Sequence, residues 1–369
     1  MTMEEQKRTA LVISGGGAAG AFAVGAVRWI FRHYRDTGWF SIVGGCSTGA
    51  LMAPFVGLLG ASDSKIAAEA MERLVGHYSS VTTEDILDKK SLLEFGKDPN
   101  CLYRSTPLRA KVNEALRPAL FEWLRREDMP FCYVVYTNFQ TGALEVVSPR
   151  DPGMSRDRFI DALMASSSVP GIMEPTIIDG QHCYDGGVRD LIPFTRAIAL
   201  GAETIVPIML HKGGVSPVAS SFRRLDQVLP RTLAIMRDEA AKNDLRLATL
   251  INQAIRARRD VLKALTDNPQ LCSKVRAVFE QDEYRDLFGA EKHLARLIEG
   301  LHPDEQLTDN SLHFDPAKMR EWIKLGEQKA ESVLRESPFR REPADLSMAS
   351  LAGDSGEMVH SRSKENHGI

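Results

Sequence analysis

Hydrophobic positions in the first half of the chain follow two alternating patterns. Residues 9–14 and 204–210 are short apolar runs that predict buried strands, whereas residues 18–34 repeat apolar side chains at helical spacing. Residues 132–138 and 143–148 are separated by a short polar turn, which is typical of a β-hairpin. Because strands and helices alternate in this way, we predict an α/β fold of three layers, α/β/α, with a mainly parallel central sheet.

The pattern changes after residue 212, where one helical stretch follows another. Residues 315–334 are an example, with apolar side chains along one face. After residue 337 no periodicity remains and large apolar side chains are few, which is typical of a disordered segment. We therefore predict an α/β core over residues 8–212, C-terminal helices over 213–337 that pack on the same domain, and a disordered tail over 338–369.

Composition narrows the class of protein. The chain has 369 residues, of which 43% are hydrophobic and 26% charged, with a formal net charge of −3, the profile of a soluble globular protein. Without an excess of Lys and Arg, we expect no nucleic-acid partner. The five cysteines lack paired or zinc-type spacing, which favours reduced thiols and no metal site.

The N-terminal residues give a prediction about location. A short apolar run lies between charged residues and glycines, without the long apolar segment and cleavage site of a secretory signal. No apolar run has the length of a membrane span. We therefore expect a cytoplasmic protein that can bind peripherally to membranes; export by a route that uses no such signal is compatible with this sequence.

A glycine-rich segment, residues 14–20 (SGGGAAG), follows the first predicted strand and opens a helix. Main-chain N–H groups at such a position favour negative charge. Gly15, Gly17 and Gly20 fit the G-x-G-x-x-G pattern of dinucleotide binding, with Asp36 as a candidate ribose contact. The same amides could instead form an oxyanion hole, and an ordinary strand-to-helix turn is the third possibility.

A second segment, residues 45–49 (GCSTG), has the G-x-S-x-G pattern of a nucleophile elbow. The pattern predicts a short strand over 40–43, a sharp turn at Ser47 and an apolar helix directly afterwards. Ser47 would then lie at the helix N-terminus, where the helix dipole stabilises an incipient alkoxide. Cys46 should point back into the sheet and pack there. A glycine turn without chemistry is the alternative.

A third segment, residues 175–193, contains two Asp-Gly pairs. We assign Asp179-Gly180 to a hairpin turn, which leaves Asp185, followed by Gly186 and Gly187, at the end of a strand. A serine hydroxyl is a weak nucleophile unless a base takes its proton, and Asp185 could be that base. An ordinary second turn is the alternative.

Histidine is the usual partner of a catalytic serine. His211 and His302 follow Asp185 in the chain order of an α/β-hydrolase triad. Neither lies in a glycine-rich or strand-end setting like that of Asp185, so we predict that both are core or surface residues.

With these three segments in order and at matching spacing, the sequence resembles the patatin-like phospholipases, a family of lipid acyl hydrolases. The likeness extends over about residues 8–335 and includes a closing helix similar to that of bacterial members. It implies a Ser–Asp dyad without histidine, metal or cofactor, and a lipid or phospholipid ester substrate at a membrane or micelle surface. Ser47 would be the nucleophile, Asp185 the general base, and the oxyanion hole would use the amides of Gly15, Gly16, Gly17 and Ala18. The supporting turns would use Gly20, Gly45, Gly49, Gly186 and Gly187.

Two positions depart from the family pattern, Ala19 and Asp190. Asp190 stands where the family often has Asn and could cap or pin its loop. Ala19 stands where the family usually has Lys or Arg, so a cation near the anionic site is missing, which bears on the preference for charged head groups. A catalytically inactive lipid-binding or interaction protein on the same fold is therefore an alternative. A dinucleotide-dependent oxidoreductase would explain only the glycine-rich segment. Residues 79–106 and the helices after residue 212 are candidate covers over the site, with ordinary surface structure as the alternative for each.

Overall fold

A computed structural model of the chain describes residues 8–97, 99–211, 221–223, 225–284, 296–297, 301–308 and 310–335. The described residues through Val333 belong to one structural unit. The predicted tail over 338–369 lies outside the described residues.

The strands build one large sheet and one small one. In chain order they are β1 (Thr9–Ile13), β2 (Ile42–Cys46), β3 (Asp88–Lys89), β4 (Tyr103–Arg104), β5 (Phe131–Asn138), β6 (Leu144–Val147), β7 (Thr176–Ile178), β8 (Gln181–Asp185), β9 (Thr204–Ile208) and β10 (Arg296–Leu297). Within the described ranges the large sheet has the order β10-β9-β1-β2-β5-β8-β7, and β6 also pairs with β5. Strands β10, β9, β1, β2 and β5 are parallel, whereas β6, β8 and β7 are antiparallel. The prediction of a mainly parallel central sheet is confirmed.

Eleven helices are described, and several of them cover the two faces of this sheet. They are α1 (Gly20–Tyr34), α2 (Thr48–Leu58), α3 (Ser64–Ser80), α4 (Leu92–Lys97), α5 (Thr106–Ala115), α6 (Pro118–Leu124), α7 (Arg156–Ser167), α8 (Phe194–Ala199), α9 (Leu225–Ala264), α10 (Pro269–Phe279) and α11 (Pro316–Leu334). Helices α2 and α7 pack on one face, while α8 and part of α9 cover the other, where Ala10 and Val12 of β1 are fully buried. This is the predicted α/β/α arrangement. None of the helices in the described ranges combines the length and apolar composition of a bilayer crossing.

Strand register brings the three glycine-containing segments to one edge of the sheet. Ile13 lies opposite Gly45, so β1 and β2 end side by side. Across β5, Cys46 lies opposite Val135, and the next residue, Tyr136, lies opposite Asp185. Residues that follow β1 and β2 and the last residue of β8 therefore meet at the same place, as expected when neighbouring strands end together.

Helix α11 packs closely on α1 through two glycines. A side chain at Gly25 would collide with the main-chain carbonyl of Ile323, and one at Gly326 with that of Phe22. The two backbones can approach because neither glycine has a Cβ atom. The half-buried ion pair between Arg28 and Glu327, with a distance of 2.6 Å, joins the same two helices.

Two of the predicted boundaries that differ from the structure lie at the glycine-containing segments. The strand before Ser47 was placed at residues 40–43 but runs over Ile42–Cys46, so it includes Gly44 and Gly45. Glycine is unfavourable in strands, but here β1 and β5 flank the segment and the ring of Tyr133 covers Gly44. The helix predicted from residue 18 begins at Gly20, after a 3₁₀ turn at Gly17–Ala19.

Both predicted hairpins are present. Strands β5 and β6 pair antiparallel, and so do β7 and β8. Between β7 and β8, Asp179 and Gly180 have positive φ values of 52° and 76°, which are typical of a tight two-residue hairpin turn. Asp185 is thus free of any role in that turn.

Candidate active site

Ser47 lies at a sharp turn between β2 and α2. Its φ of 55° and ψ of −123° are rare for a residue with a side chain, and such strain usually marks a functional position. Its N–H donates a hydrogen bond to Oγ of Ser166 at 2.9 Å, which helps to hold the turn. A side chain at Gly45 would meet the main chain of Gly49, and one at Gly49 that of Ile13. The local geometry is therefore a strained strand–turn–helix connection in which glycines allow close main-chain contacts on both sides of the serine.

Asp185 is completely buried at the end of β8 and its carboxylate accepts from several donors. Oδ2 accepts a hydrogen bond from Oγ of Ser47 at 2.8 Å and one from Nη2 of Arg237 at 2.8 Å. Oδ1 accepts from the N–H of Gly187 at 2.8 Å and from Sγ of Cys46 at 3.7 Å. A buried carboxylate is costly unless it is paired, and this one is surrounded by donors. The two candidate catalytic side chains are in direct contact.

Cys46 points away from the cavity at Ser47 and packs in the sheet, where it is fully buried. Burial raises the pKa of its thiol well above the ordinary value, and the negative charge of Asp185 raises it further. A thiolate is therefore disfavoured at this position, and a thiol is a poor nucleophile.

The glycine-rich loop offers fewer free amides than predicted. The N–H of Gly15 donates to the carbonyl of Leu191 at 3.2 Å, and that of Ala18 donates to the carbonyl of Ser311 at 2.8 Å. For the N–H groups of Gly16 and Gly17, no described residue provides an acceptor. Of the four amides in the predicted oxyanion hole, Gly16 and Gly17 thus remain candidate donors, because the other two already hold the loop in place.

Contacts on both sides fix the position of this loop. A Cβ atom on Gly15 would lie 3.1 Å from Cβ of Ser47, so the loop borders the serine directly. Gly17 has a positive φ of 56°, and a side chain there would collide with the carbonyl of Ser311. The conformation and the close approach both require glycine at position 17.

The remaining predicted turn glycines surround the same site. Gly20 lies beside Thr48 and Tyr78, and Gly186 lies against the carbonyl of Val135. Besides forming part of the turn, Gly187 donates a hydrogen bond from its N–H to the carboxylate of Asp185. These residues shape the main chain around the two polar side chains.

Arg237, on α9, was not predicted from the sequence to be a residue of the site. Its side chain is 13% exposed and forms an ion pair with the fully buried carboxylate of Asp185. It lies 52 residues after Asp185, in a segment that has only the ordinary pattern of a helix. No local motif identifies such a partner, because a long-range ion pair leaves no spacing signal in the sequence.

We expect Arg237→Met to lower the free energy of unfolding by about 3 kcal/mol, because the variant leaves a buried carboxylate without its cationic partner. Arg237→Lys retains the charge and should lose less. Urea denaturation of both variants measures the difference.

A double-mutant cycle isolates the ion pair. In an Asp185→Asn background the carboxylate charge is absent, so Arg237→Met should cost much less than in the native protein. Equal losses in the two backgrounds would show that Arg237 stabilises the protein through packing and that the ion pair contributes nothing.

His211 lies near the glycine-rich loop but is not paired with either catalytic candidate. Burial and, to a smaller extent, the positive charge of Arg237 lower the pKa of its imidazole to about 4, although a hydrogen bond with the Gly15 main chain opposes the shift. Its buried Nε2 atom has no hydrogen-bond partner among the described residues. In His302, Nδ1 lies 2.9 Å from the carbonyl of Pro303. No described contact joins either histidine to Asp185.

The low pKa of His211 predicts a pH effect on stability. Between its ordinary value of 6.5 and about 4, the unfolded chain binds a proton that the folded protein does not, so the free energy of unfolding falls as the pH falls through this range. The loss should reach up to about 3 kcal/mol. His211→Asn should lack this part of the pH dependence. If the denaturation curves of both proteins shift equally between pH 7 and pH 4, His211 is not the group responsible.

An apolar cavity of about 110 Å³ opens at Ser47. Its polar end includes Gly17, Ser47 and Arg237, and its walls come mainly from α2, α3, α5 and α7. The walls include Leu51, Phe55, Leu74, Leu108, Val112 and Leu163. A cavity with one polar end and apolar walls suits a ligand that has a hydrocarbon chain attached to a polar group.

Asp36 does not fit the dinucleotide alternative. It lies beyond the C-terminal end of α1, whereas the glycine-rich loop lies at the N-terminal end, and the helix between them is about 22 Å long. A nucleotide bound at the loop could not place its ribose against Asp36. In the part of the chain that the structure describes, no cluster of three or more His, Cys, Asp or Glu residues is suited to hold a metal ion.

A comparison of the chain with known protein families shows which family it matches. The family model described as patatin-like phospholipase matches residues 11–198, which is half of the chain. The chain belongs to the patatin-like phospholipase family. The matched residues include the glycine-rich loop, Ser47 and Asp185 of this family member, and the predicted resemblance is confirmed.

Curated relatives of this patatin-like chain are distant. It is similar to uncharacterized NTE family proteins of Mycobacterium tuberculosis (strain H37Rv) and Mycobacterium bovis, each 24% identical over 210 residues, which are 57% of this chain and 51% of the relative. The chain thus spans about half the length of the curated relatives it matches. Among solved structures, VipD from Legionella pneumophila aligns with a TM-score of 0.42 and 13% identity, covering 89% of this chain and 67% of VipD.

Proposed function

We propose that this patatin-like protein is a serine acyl hydrolase that cleaves carboxylic ester bonds of lipids through Ser47 and Asp185. The observation that carries the proposal is the 2.8 Å hydrogen bond from Oγ of Ser47 to Oδ2 of the buried Asp185, at the polar end of an apolar cavity. A nucleophile in direct contact with a base is the arrangement that covalent catalysis requires.

In the first half of the reaction, Oγ of Ser47 attacks the carbonyl carbon of the ester and its proton passes to Oδ2 of Asp185. The resulting tetrahedral intermediate collapses when the bond to the leaving alcohol breaks. Asp185 returns the proton to the departing alkoxide oxygen, so that a neutral alcohol leaves and an acyl ester of Ser47 remains.

In the second half, a water molecule attacks the acyl ester. Asp185 accepts a proton from the water and gives it to Oγ of Ser47 as the ester bond breaks. The products are a fatty acid and the regenerated hydroxyl. Each half thus uses the carboxylate once as a base and once as an acid, so no third titrating group is needed.

Negative charge develops on the former carbonyl oxygen in both halves. The N–H groups of Gly16 and Gly17 are the proposed donors to this oxyanion, because those of Gly15 and Ala18 are already bonded to main-chain carbonyls. Donors fixed before the reaction starts stabilise the transition state without further reorganisation, and the loss of one such donor typically costs a factor of about 10²–10³ in turnover.

The apolar cavity is suited to a substrate with a fatty acyl chain. The residue at position 19 affects which lipid head groups the site accepts. Ala19 is buried and carries no charge, while the guanidinium of Arg237 at the cavity is engaged by Asp185. We therefore propose that turnover does not require an anionic head group.

The experiment that tests the function is product release from defined glycerolipids with identical acyl chains. The panel contains diacylglycerol, phosphatidylcholine and phosphatidylglycerol, with Ser47→Ala as the matched control protein. Ser47-dependent release of fatty acid from the uncharged and zwitterionic lipids would support the proposal. Failure to release fatty acid from any of them, together with retained vesicle binding, would favour the catalytically inactive lipid-binding protein.

A further inference from the structure

Helix α4 carries an apolar tip that folding does not bury. Leu92 is 92% exposed, Leu93 71% and Phe95 37%. Single exposed apolar residues are common on protein surfaces, but three within four positions form a contiguous patch, which usually marks an interaction site. We call Leu92, Leu93 and Phe95 the α4 tip.

The α4 tip is mounted on ordered structure. Strands β3 and β4 pair on either side of it, with Asp88 opposite Arg104. The N–H of Ser91 donates to Oε2 of Glu94 at 2.9 Å, and Arg104 forms ion pairs with Glu94 and Asp88. Exposure of the leucines is therefore a property of the folded segment.

Residues that flank or contact this segment also line the cavity at Ser47. Val81 and Ile86, which precede β3, line the cavity. On the other side, the N–H of Tyr103 in β4 donates to the carbonyl of Ile172 at 2.8 Å, and the next residue, Met173, also lines the cavity. A lipid layer in contact with the α4 tip would thus lie next to the wall of the cavity.

Charge around the tip indicates the kind of partner. Lys89 and Lys97 are exposed on either side of the apolar residues, whereas the carboxylates of Asp88 and Glu94 face Arg104. Exposed apolar side chains flanked by lysines suit a lipid surface that contains anionic head groups. The protein as a whole has a formal net charge of −3, so any such attraction must be local.

We propose that the α4 tip inserts into the surface of an anionic lipid layer and holds the adjoining wall of the cavity close to it. This proposal rests on the proposed function only in that the lipid layer would also supply the substrate. Leu92, Leu93 and Phe95 provide the apolar contact, and Lys89 and Lys97 provide the electrostatic contact.

Vesicle sedimentation tests the binding. The Ser47→Ala protein is used throughout, so that turnover cannot alter the vesicles, which are made of phosphatidylcholine with added phosphatidylglycerol. Leu92→Asp with Leu93→Asp should weaken binding on the order of 100-fold, since each inserted leucine contributes about tenfold or more. Ile177→Asp, at an apolar residue that is 52% exposed on β7, is the matched control and should bind like the parent.

A second variant tests the electrostatic contact that Lys89 and Lys97 provide. Lys89→Glu with Lys97→Glu should weaken binding to the anionic vesicles by roughly tenfold or more and leave binding to pure phosphatidylcholine vesicles unchanged. Equal losses on both vesicle types would overturn the electrostatic part of the proposal.

Activity measurements distinguish a membrane anchor from a purely structural role of the α4 tip. In the catalytically competent protein, the Leu92 and Leu93 substitutions should reduce hydrolysis of vesicle lipid and leave hydrolysis of a soluble, monomeric short-chain ester unchanged. Equal losses on both substrates, unchanged vesicle binding, or a change in oligomeric state on size-exclusion chromatography would each overturn the proposal. If the proposed function fails, hydrolysis is absent while the binding measurements still decide the role of the tip.

Discussion

Replacement of Ser47 by Ala is expected to reduce ester hydrolysis by roughly 10⁵-fold or more, the scale seen when a covalent catalyst loses its nucleophile. The reason is chemical, because the methyl group of alanine cannot form the acyl intermediate. The fold should be retained, since among the described residues the side chain of Ser47 bonds to Asp185 alone, and the turn is held by the bond from the N–H of Ser47 to Oγ of Ser166.

A fluorophosphonate probe measures this result directly, because it labels an activated serine. The native protein should be labelled and Ser47→Ala should not. Ser168→Ala is the matched control: Ser168 is buried too, but its hydroxyl donates to the carbonyl of Met164 at 2.9 Å. Labelling and turnover of Ser47→Ala at the native level would show that another residue is the nucleophile.

Replacement of Asp185 by Asn is expected to lower turnover by a factor of about 10²–10⁴, the typical contribution of a general base. The amide is nearly the same size as the carboxylate but cannot accept the proton of Ser47. The loss should appear in kcat more than in KM, because the carboxylate acts when the proton moves and lies buried beneath the cavity. Pre-steady-state measurement of acylation with a chromogenic ester checks this.

Two controls address the histidine alternative. His302→Ala and His211→Asn should each retain most of the native turnover, because no described contact connects these histidines to Ser47 or Asp185. In a Ser47→Ala background, Asp185→Asn should cause no further loss, as expected for two residues that act as a unit. A nearly unchanged rate in Asp185→Asn, combined with loss of activity in His211→Asn, would falsify the dyad.

Much of the site could be predicted because its signals are local. The elbow at Ser47 requires small residues on both sides of a strained serine, so sterics leave a readable pattern within five positions. Asp185 was separable from Asp179 because Asp179-Gly180 fits a hairpin turn and Asp185 does not. The order of strands and helices follows in the same way from hydrophobic periodicity, and the fold class predicted from it is confirmed. The family that the three glycine-containing segments resemble is confirmed as well.

Other features depend on contacts between distant parts of the chain. Arg237 reaches Asp185 from α9, and Ser311 holds the amide of Ala18 from the segment before α11. These two contacts change the site. The guanidinium of Arg237 compensates the negative charge of Asp185, the candidate base. The carbonyl of Ser311 accepts from an amide that was predicted to belong to the oxyanion hole. Neither partner belongs to a motif, so the sequence predicted a helical C-terminal part, and a candidate cover within it, but neither of these two contacts.

The amino-acid sequence by itself thus determined the strand–helix alternation, the serine turn and the aspartate at the end of β8. Each of these depends on the sterics and hydrogen bonding of neighbouring residues. Only the tertiary structure decided which amides are free, which cation pairs with Asp185, and which apolar side chains of α4 remain exposed. The reason is that burial and ion pairing depend on how separate elements pack, and that packing is encoded in the whole chain rather than in any short pattern.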